Sequence, residues 1–184
     1  MNSIIQLFLK LSGRKYSTFY KIISMGPGIL IFLIISPLII FKISQHLSEY
    51  INIQIPRPAE LTIMAVALLI SIPLMSWALL ELWRKGKGTP APITPTNQLV
   101  TSGPYSLCRN PIELGTNIYF LALGIFFDSL VTGILCMFFG LVLGISYIKC
   151  IEEKEMLLRF GSDYSRYLQS TPFMSLAPGN LKKI

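Results

Sequence analysis

The chain has 184 residues, of which 52% are hydrophobic and only 14% are charged. A soluble domain carries about 25% charged residues, so this composition excludes an ordinary soluble globule and indicates a membrane protein. The net charge of +7 would suggest nucleic acid in a soluble chain, but in a membrane protein a basic excess sets the orientation, and we expect no nucleic-acid partner.

The first elements in chain order are a basic N-terminal segment and two apolar runs. Residues 1–25 place apolar side chains beside a basic stretch, which predicts an interfacial amphipathic helix, with a further span as the alternative. The first two spans are predicted at 26–43 and 61–83, because crossing the hydrocarbon core takes about 20 apolar residues. Pro37 predicts a kink in the first span, and His46 falls in the polar connector after it.

A long loop, punctuated by proline and glycine, leads to two more apolar runs. It occupies residues 88–115 and gathers polar groups at the membrane boundary, and long connections of this kind tend to be functional. The third and fourth spans are predicted at 112–127 and 130–150, as a helical hairpin with a tight turn at 128–129. The tail shows helical spacing broken at Gly161, which predicts short helices.

The basic residues are distributed unevenly over the predicted connectors. All Lys and Arg residues except Lys42 and Arg57 fall in the N-terminal segment, the central loop and the C-terminal segment. The positive-inside rule assigns these three segments to the cytoplasm, and an even number of spans agrees with that assignment. We therefore predict an integral, multi-pass protein with both termini cytosolic, in a prokaryotic cytoplasmic membrane rather than the endoplasmic reticulum.

Together these elements predict an all-α fold. We expect a polytopic membrane protein of about four transmembrane helices, with an N-terminal interfacial helix and short C-terminal cytosolic helices. Residues 1–184 would form one domain: the interfacial segment 1–25, the first two spans in 26–83, and a catalytic loop, hairpin and C-terminal helices in 84–172. Three widely spaced cysteines without a Cys/His cluster predict neither a disulfide framework nor a metal site.

The loop and the tail carry an ordered set of motifs. The chain has Leu99-Val100, Gly103-Pro104-Tyr105, Arg109-Asn110-Pro111 and Gly115, then Glu152-Glu153, Phe160-Gly161, Tyr164 and Tyr167. In this order around a helical hairpin, over about residues 81–172, the chain resembles the isoprenylcysteine carboxyl methyltransferase and phospholipid N-methyltransferase superfamily of integral-membrane methyltransferases. The family often has His where Asn97 and Asn110 stand, and frequently Tyr where Glu113 stands.

The resemblance implies a cofactor and a class of acceptor. The cofactor would be S-adenosylmethionine, bound at the cytosolic face, and the acceptor a lipid-like or prenylated molecule that enters sideways from the bilayer for O- or N-methylation. No obligate protein partner is expected. The residues that the resemblance assigns to cofactor binding are Asn97, Leu99, Val100, Gly103, Pro104, Tyr105, Asn110, Pro111, Gly115, Glu152 and Glu153.

Two residues are candidates for catalytic roles. The guanidinium of Arg109 can bind a carboxylate or phosphate in bidentate fashion. The structural alternative is that the side chain only extends to the membrane–water interface to keep its charge in water. Glu113 is the candidate general base if the acceptor is an ammonium, which must lose a proton before methylation. A carboxylate acceptor would need no base, and Arg109 could then orient it.

The other motifs also have structural alternatives. The paired glutamates could form a solvated face with Lys149, Lys154 and Arg159 instead of holding the cofactor's ammonium or ribose. The turn that begins at Gly103 could cradle the cofactor's carboxylate through backbone N–H groups, or could be an ordinary β-turn. Asn110 could contact the cofactor or cap the third span.

Two other functions are compatible with the sequence. A membrane reductase of sterol-reductase-like fold would use NADPH, although residues for its 2′-phosphate are not obvious near the paired glutamates. A non-enzymatic small membrane protein is the second alternative, with the loop as a scaffold.

Overall fold

A computed structural model describes Gln6, Lys10 and residues 16–51, 53–91 and 94–174, and within this part of the chain all regular secondary structure is helical. Helix α1 is Thr18–Ser48, α2 is Arg57–Gly86, α3 is Pro111–Phe127, α4 is Leu130–Tyr147 and α5 is Glu153–Ser170. A 3-10 turn at Gly103–Ser106 interrupts the loop between α2 and α3, and a π-helical turn at Ile148–Glu152 joins α4 to α5. The predicted all-α class is confirmed.

Three helices in the described residues are long and apolar enough to cross a membrane. These are α1, α2 and the run Leu130–Ser170, which comprises α4, the π-helical turn and α5. Within α5 the backbone kinks at Gly161 (φ 52°, ψ −124°), so the predicted break at this glycine is confirmed. The predicted third span corresponds to α3, a shorter apolar helix of 17 residues. All four apolar runs are therefore helical, and the chain is an integral membrane protein.

Helix α1 contains a stretch of π-helix at Leu30–Ile35, directly before Pro37. The N–H of Ser36 donates to the carbonyl of Ile31, five residues back instead of four. Proline lacks an N–H and its ring collides with the preceding turn of an α-helix, so a widened turn accommodates it. The disturbance predicted at Pro37 is therefore a local change of helix type.

Helix α1 extends further in both directions than predicted. His46 lies in its last turn, so the prediction that this residue belongs to a connector is wrong. At the other end, residues 18–25 continue into the span without a break instead of forming a separate helix. Continuous backbone pairing is the only arrangement that satisfies N–H and C=O groups against lipid. Residues 1–5, 7–9 and 11–15 of the predicted interfacial helix lie outside the described part of the chain.

The chain divides into two compact units. Unit 1 comprises Met1–Pro27, Ser76–Pro111 and Ser146–Ile184, as far as they are described, and therefore holds the long loop and α5. Unit 2 comprises Gly28–Met75 and Ile112–Ile145, and holds the hairpin of α3 and α4. That residues 1–184 act as one domain stays a prediction.

In unit 2, the tight turn of the hairpin is capped from the start of α2. The Glu60 carboxylate accepts a 2.7 Å hydrogen bond from the Leu130 N–H, one of the unpaired donors at the beginning of α4. Arg57, 3.0 Å from Glu60, donates to the carbonyl oxygens of Ile125 and Phe126 at the end of α3 and to that of Asp128 in the turn. One ion pair therefore satisfies both helix ends of the predicted turn.

Candidate active site

The first part of the loop is closed on itself within unit 1. The Thr89 N–H donates to the Thr94 carbonyl at 2.9 Å, and the Asn97 N–H donates to the Gly86 carbonyl at 2.7 Å. A β-carbon on Gly88 would lie 2.5 Å from the backbone of Thr96, so only glycine fits this crossing. The described residues of this part of the loop are therefore packed closely on one another.

The turn at Gly103–Ser106 is fixed by a carboxylate from the end of α2. Gly103 has a φ of 61°, the left-handed region that favours glycine. The Ser102 hydroxyl donates to Glu81 at 2.6 Å, and Lys85 contacts the same carboxylate at 2.5 Å. The Tyr105 N–H donates to the Ser102 carbonyl, so it bonds inside the turn. This pairing supports the ordinary-turn alternative over an anion cradle at that N–H.

Tyr105 is buried, and the Tyr167 hydroxyl donates to its carbonyl oxygen at 2.6 Å. Burial, reinforced by the negative charge of Glu152, raises the pKa of the Tyr105 phenol well above its usual range. Burial also raises the pKa of the neighbouring Cys108 thiol. Both groups are therefore neutral at physiological pH.

Arg109 lies at the centre of a buried cluster in unit 1. Its Nη1 is 3.4 Å from Glu153, and the Lys149 ammonium lies 2.8 Å from the same carboxylate. The side chains of Arg109 and Glu153 are only 10% and 14% exposed, whereas that of Lys149 is 49% exposed. Two regions that are 44 residues apart in the chain thus meet at one carboxylate.

The Arg109 guanidinium is incompletely satisfied. Its Nε is buried and has no hydrogen-bond partner among the described residues. A buried charged donor without a partner is costly, so such a group indicates a missing acceptor. The α-carboxylate of S-adenosylmethionine is an acceptor of the kind that a guanidinium edge binds, and the donor set therefore fits this cofactor.

Residues 171–174, which follow α5, lie across the loop. The Pro172 carbonyl accepts from the Arg109 N–H at 2.9 Å, and the Phe173 carbonyl accepts from the Asn110 side-chain amide at 3.0 Å. The Phe173 ring lies 5.6 Å from the Arg109 guanidinium and 4.6 Å from the Lys149 ammonium. The Asn110 amide nitrogen thus binds protein backbone.

A second ion pair lies on α5. Glu155 and Arg159 are 2.8 Å apart with side chains 9% and 6% exposed, and Arg159 also donates to the Thr96 carbonyl. The structural alternative in the sequence, a solvated face that includes Arg159, does not hold for this pair, because Arg159 is buried and fastens the loop to α5. The sequence carries no signal for this, because alternating charges look the same on a covered helical face as on a solvated one.

The remaining predicted site residues of unit 1 differ in exposure. Val100, Pro104 and Pro111 are buried, Leu99 is half-buried, and the Asn97 side chain is exposed. Leu99 lines an open groove of about 500 Å³ together with Tyr167 and Thr171. The structure brings Arg109, Asn110 and Glu153 together, and Glu152 affects Tyr105 electrostatically.

Glu113 and Gly115 belong to unit 2. The Asn117 amide donates to the Glu113 carboxylate at 2.7 Å, and this carboxylate packs directly against Gly144 of α4. A β-carbon on Gly115 would lie 2.5 Å from Met75. The Asn117 carbonyl oxygen is buried and has no partner among the described residues. Glu113 is therefore a polar element of the hairpin, next to small residues that permit close helix packing.

Comparison with known proteins agrees with this geometry. The phospholipid methyltransferase family model matches residues 61–163, more than half of the chain. The chain belongs to the phospholipid methyltransferase family. The match to this family covers Arg109 and Glu153 and ends before Phe173. The resemblance identified from the motifs is thereby confirmed.

One curated relative extends the comparison. Over 78 residues, or 41% of this chain, the sequence is 37% identical to the cobalt-zinc-cadmium resistance protein CzcN of Cupriavidus metallidurans. The chain spans about a third of the length of this relative, 34%. No solved structure matches the chain.

Proposed function

We propose that this protein transfers a methyl group from S-adenosylmethionine to a lipid-like or prenylated acceptor in the membrane, by O- or N-methylation at the cytosolic face. Membership of the phospholipid methyltransferase family supports the reaction class. The observation that carries the cofactor assignment is the buried Arg109, paired with Glu153 and left with an unpartnered Nε.

The proposal gives each residue of the cluster a task. The free edge of Arg109 binds the carboxylate of the cofactor, and Glu153 holds Arg109 in place. Lys149 is half exposed, and it is the partner of Glu153 that the cofactor's ammonium would replace. When bound, the cofactor supplies a sulfonium methyl group for an in-line displacement. The protein then contributes alignment and exclusion of water.

Glu113 is the proposed base if the acceptor is an amine. The Asn117 amide fixes one carboxylate oxygen at 2.7 Å, which orients the group within the hairpin. Intramembrane carboxylates are costly and default to a functional hypothesis. A Glu113→Gln variant assayed across acceptors tests the role: we expect loss of turnover on amines, and unchanged turnover on every acceptor would remove Glu113 from the mechanism.

One observation supports a second candidate, the NADPH-dependent reductase. The structure places Arg109 and Lys149 beside Glu153, so a pair of cations does lie next to the paired glutamates. Cations of this kind also suit a 2′-phosphate. The family membership favours methyl transfer, and the two cofactors are distinguished by experiment.

The proposed function is tested by methyl transfer in lipid. Membranes containing the protein are incubated with S-adenosylmethionine labelled in its methyl group and a total lipid extract, and the lipids are analysed by mass spectrometry. We expect a labelled lipid that is absent with empty membranes. No labelled product, together with oxidation of NADPH by the same membranes, would replace this proposal with the reductase.

A further inference from the structure

The segment Thr171–Phe173 contacts the loop at Arg109, and these contacts lie outside the family match. Its backbone is fastened to three consecutive loop residues: Cys108, Arg109 and Asn110 contribute a thiol, an N–H and a side-chain amide to the carbonyls of Pro172 and Phe173. The two nitrogen donors lie at 2.9 and 3.0 Å from those oxygens. The position of the Phe173 ring is therefore set by the same residues that carry the site.

The Phe173 ring contacts the two cations that share Glu153. An aromatic face attracts a cation within about 6 Å of its centre, and a guanidinium stacked on a ring keeps its edge donors available. The distances of 5.6 Å to Arg109 and 4.6 Å to Lys149 lie within that range. The ring thus engages the guanidinium without using the hydrogen-bond donors that Glu153 and an incoming acceptor need.

We propose that Phe173 is a positioning residue for the methyl-donor site: it fixes the orientation of the Arg109 guanidinium, and thereby the affinity for a carboxylate-bearing nucleoside. The inference rests on the proposed function and adds a residue beyond the recognised motifs. Because Phe173 acts through Arg109, its removal should affect S-adenosylmethionine and S-adenosylhomocysteine alike, since both carry the carboxylate that Arg109 binds.

The test measures equilibrium binding of both compounds to the full chain in detergent. We expect Phe173→Ala to weaken both affinities by about three- to thirtyfold, the range of a cation–π contact, and Phe173→Tyr to restore them. Phe173→Leu keeps apolar volume but lacks the π face, so it should bind both compounds as weakly as Phe173→Ala does. It replaces Phe173→Ala in the test if the alanine variant does not fold. Leu158→Ala, at a position 54% exposed on α5, is the matched control.

A double-mutant cycle distinguishes positioning from general support of the fold. In an Arg109→Gln background no cation remains at position 109, so Phe173→Ala should cause less than a twofold further loss. In a turnover assay, Phe173→Ala in the otherwise wild-type protein should raise the KM for the cofactor and leave kcat nearly unchanged.

Each result has a definite consequence. Wild-type affinity in both Phe173→Ala and Phe173→Leu, or an equal loss in the Arg109→Gln background, would overturn the positioning role and leave the proposed function standing. Absence of binding by the wild-type protein would overturn the proposed function, and the role of Phe173 with it.

Discussion

At the scale of single residues, the site combines burial with incomplete pairing. Arg109 has one carboxylate partner, an aromatic ring on its face and an unpartnered Nε. Removing one member of a buried pair leaves the other charge uncompensated, which typically costs about 3–5 kcal/mol. Here the half-exposed Lys149 remains as a partner of Glu153, so Arg109 can be replaced without leaving that carboxylate alone.

The Tyr105 phenol should make the stability of the folded protein depend on pH in the alkaline range. Its pKa is raised well above the ordinary value of 10.0 by burial, so the unfolded chain releases this proton at lower pH than the folded protein does. Stability should be unaffected by Tyr105 below about pH 10 and should fall as the pH rises above it.

Thermal unfolding in detergent between pH 8 and 11 measures this effect. The Tyr105→Phe variant keeps the backbone carbonyl that accepts from Tyr167, and it should lose less stability than the wild type over the alkaline part of the range. Equal losses in both proteins would show that the Tyr105 phenol does not titrate in this way.

Some of these residues could be predicted from the sequence and others could not. Arg109 and Glu153 belong to motifs whose order implied one site, and the structure joins them. Phe173 gave no signal, because a single aromatic residue after the last helix has no sequence spacing that links it to Arg109 or Lys149. The burial of Arg159 was missed because charge alternation along a helix looks the same on a solvated face as on one covered by a loop.

At the scale of elements, hydropathy located the helices, but it did not give their internal geometry. The predicted spans are all helical, whereas the π-helical turns at Leu82–Gly86 and Ile148–Glu152 depend on which carbonyl each N–H selects. The turn at Ile148–Glu152 directly precedes Glu153, and π-helical turns frequently lie at functional sites. A π-helical turn contains one more residue than an α-helical turn, and the periodicity of the apolar residues does not reveal that extra residue.

In the hairpin of α3 and α4, glycines of α4 leave the space that polar side chains of α3 occupy. A β-carbon on Gly144 would overlap the Glu113 carboxylate, and one on Gly140 would lie 2.5 Å from the Asn117 carbonyl oxygen. We expect Gly144→Ala to destabilise the protein by about 1–3 kcal/mol through overpacking. Unfolding in mixed detergent micelles measures the change.

Two comparisons give this prediction its control. A β-carbon on Gly26 of α1 would meet nothing within 4 Å, so Gly26→Ala should be neutral or stabilising by up to about 1 kcal/mol. Combining Gly144→Ala with Glu113→Ala should recover stability, because the colliding carboxylate is absent. A Gly144→Ala protein as stable as the Gly26→Ala protein would show that the hairpin does not need this close approach.

At the scale of the whole molecule, the distribution of charge predicts the orientation in the membrane. The long loop and the C-terminal segment should face the cytoplasm, and the connector between the first two spans should face the opposite side. Glu49→Cys and Ser162→Cys report on the two sides, since both positions are exposed and Cys150 can be replaced beforehand.

Labelling with a membrane-impermeant maleimide tests the orientation. In sealed vesicles with the cytoplasmic side outward, Ser162→Cys should react and Glu49→Cys should react only after the membrane is permeabilised. The reverse pattern would place the Arg109 cluster on the wrong side for a cytosolic methyl donor.

The proposed function depends on whether Arg109 and Glu153 hold a methyl donor. The most direct test is equilibrium binding of S-adenosylmethionine to the detergent-solubilised protein, compared with Arg109→Ala, Glu153→Ala and the control Leu158→Ala. We predict micromolar binding by the wild type and the control, a loss of roughly tenfold or more in both site variants, as expected for a hydrogen bond to a charged group, and no binding of NADPH. Wild-type affinity in both site variants would show that Arg109 and Glu153 do not hold the methyl donor.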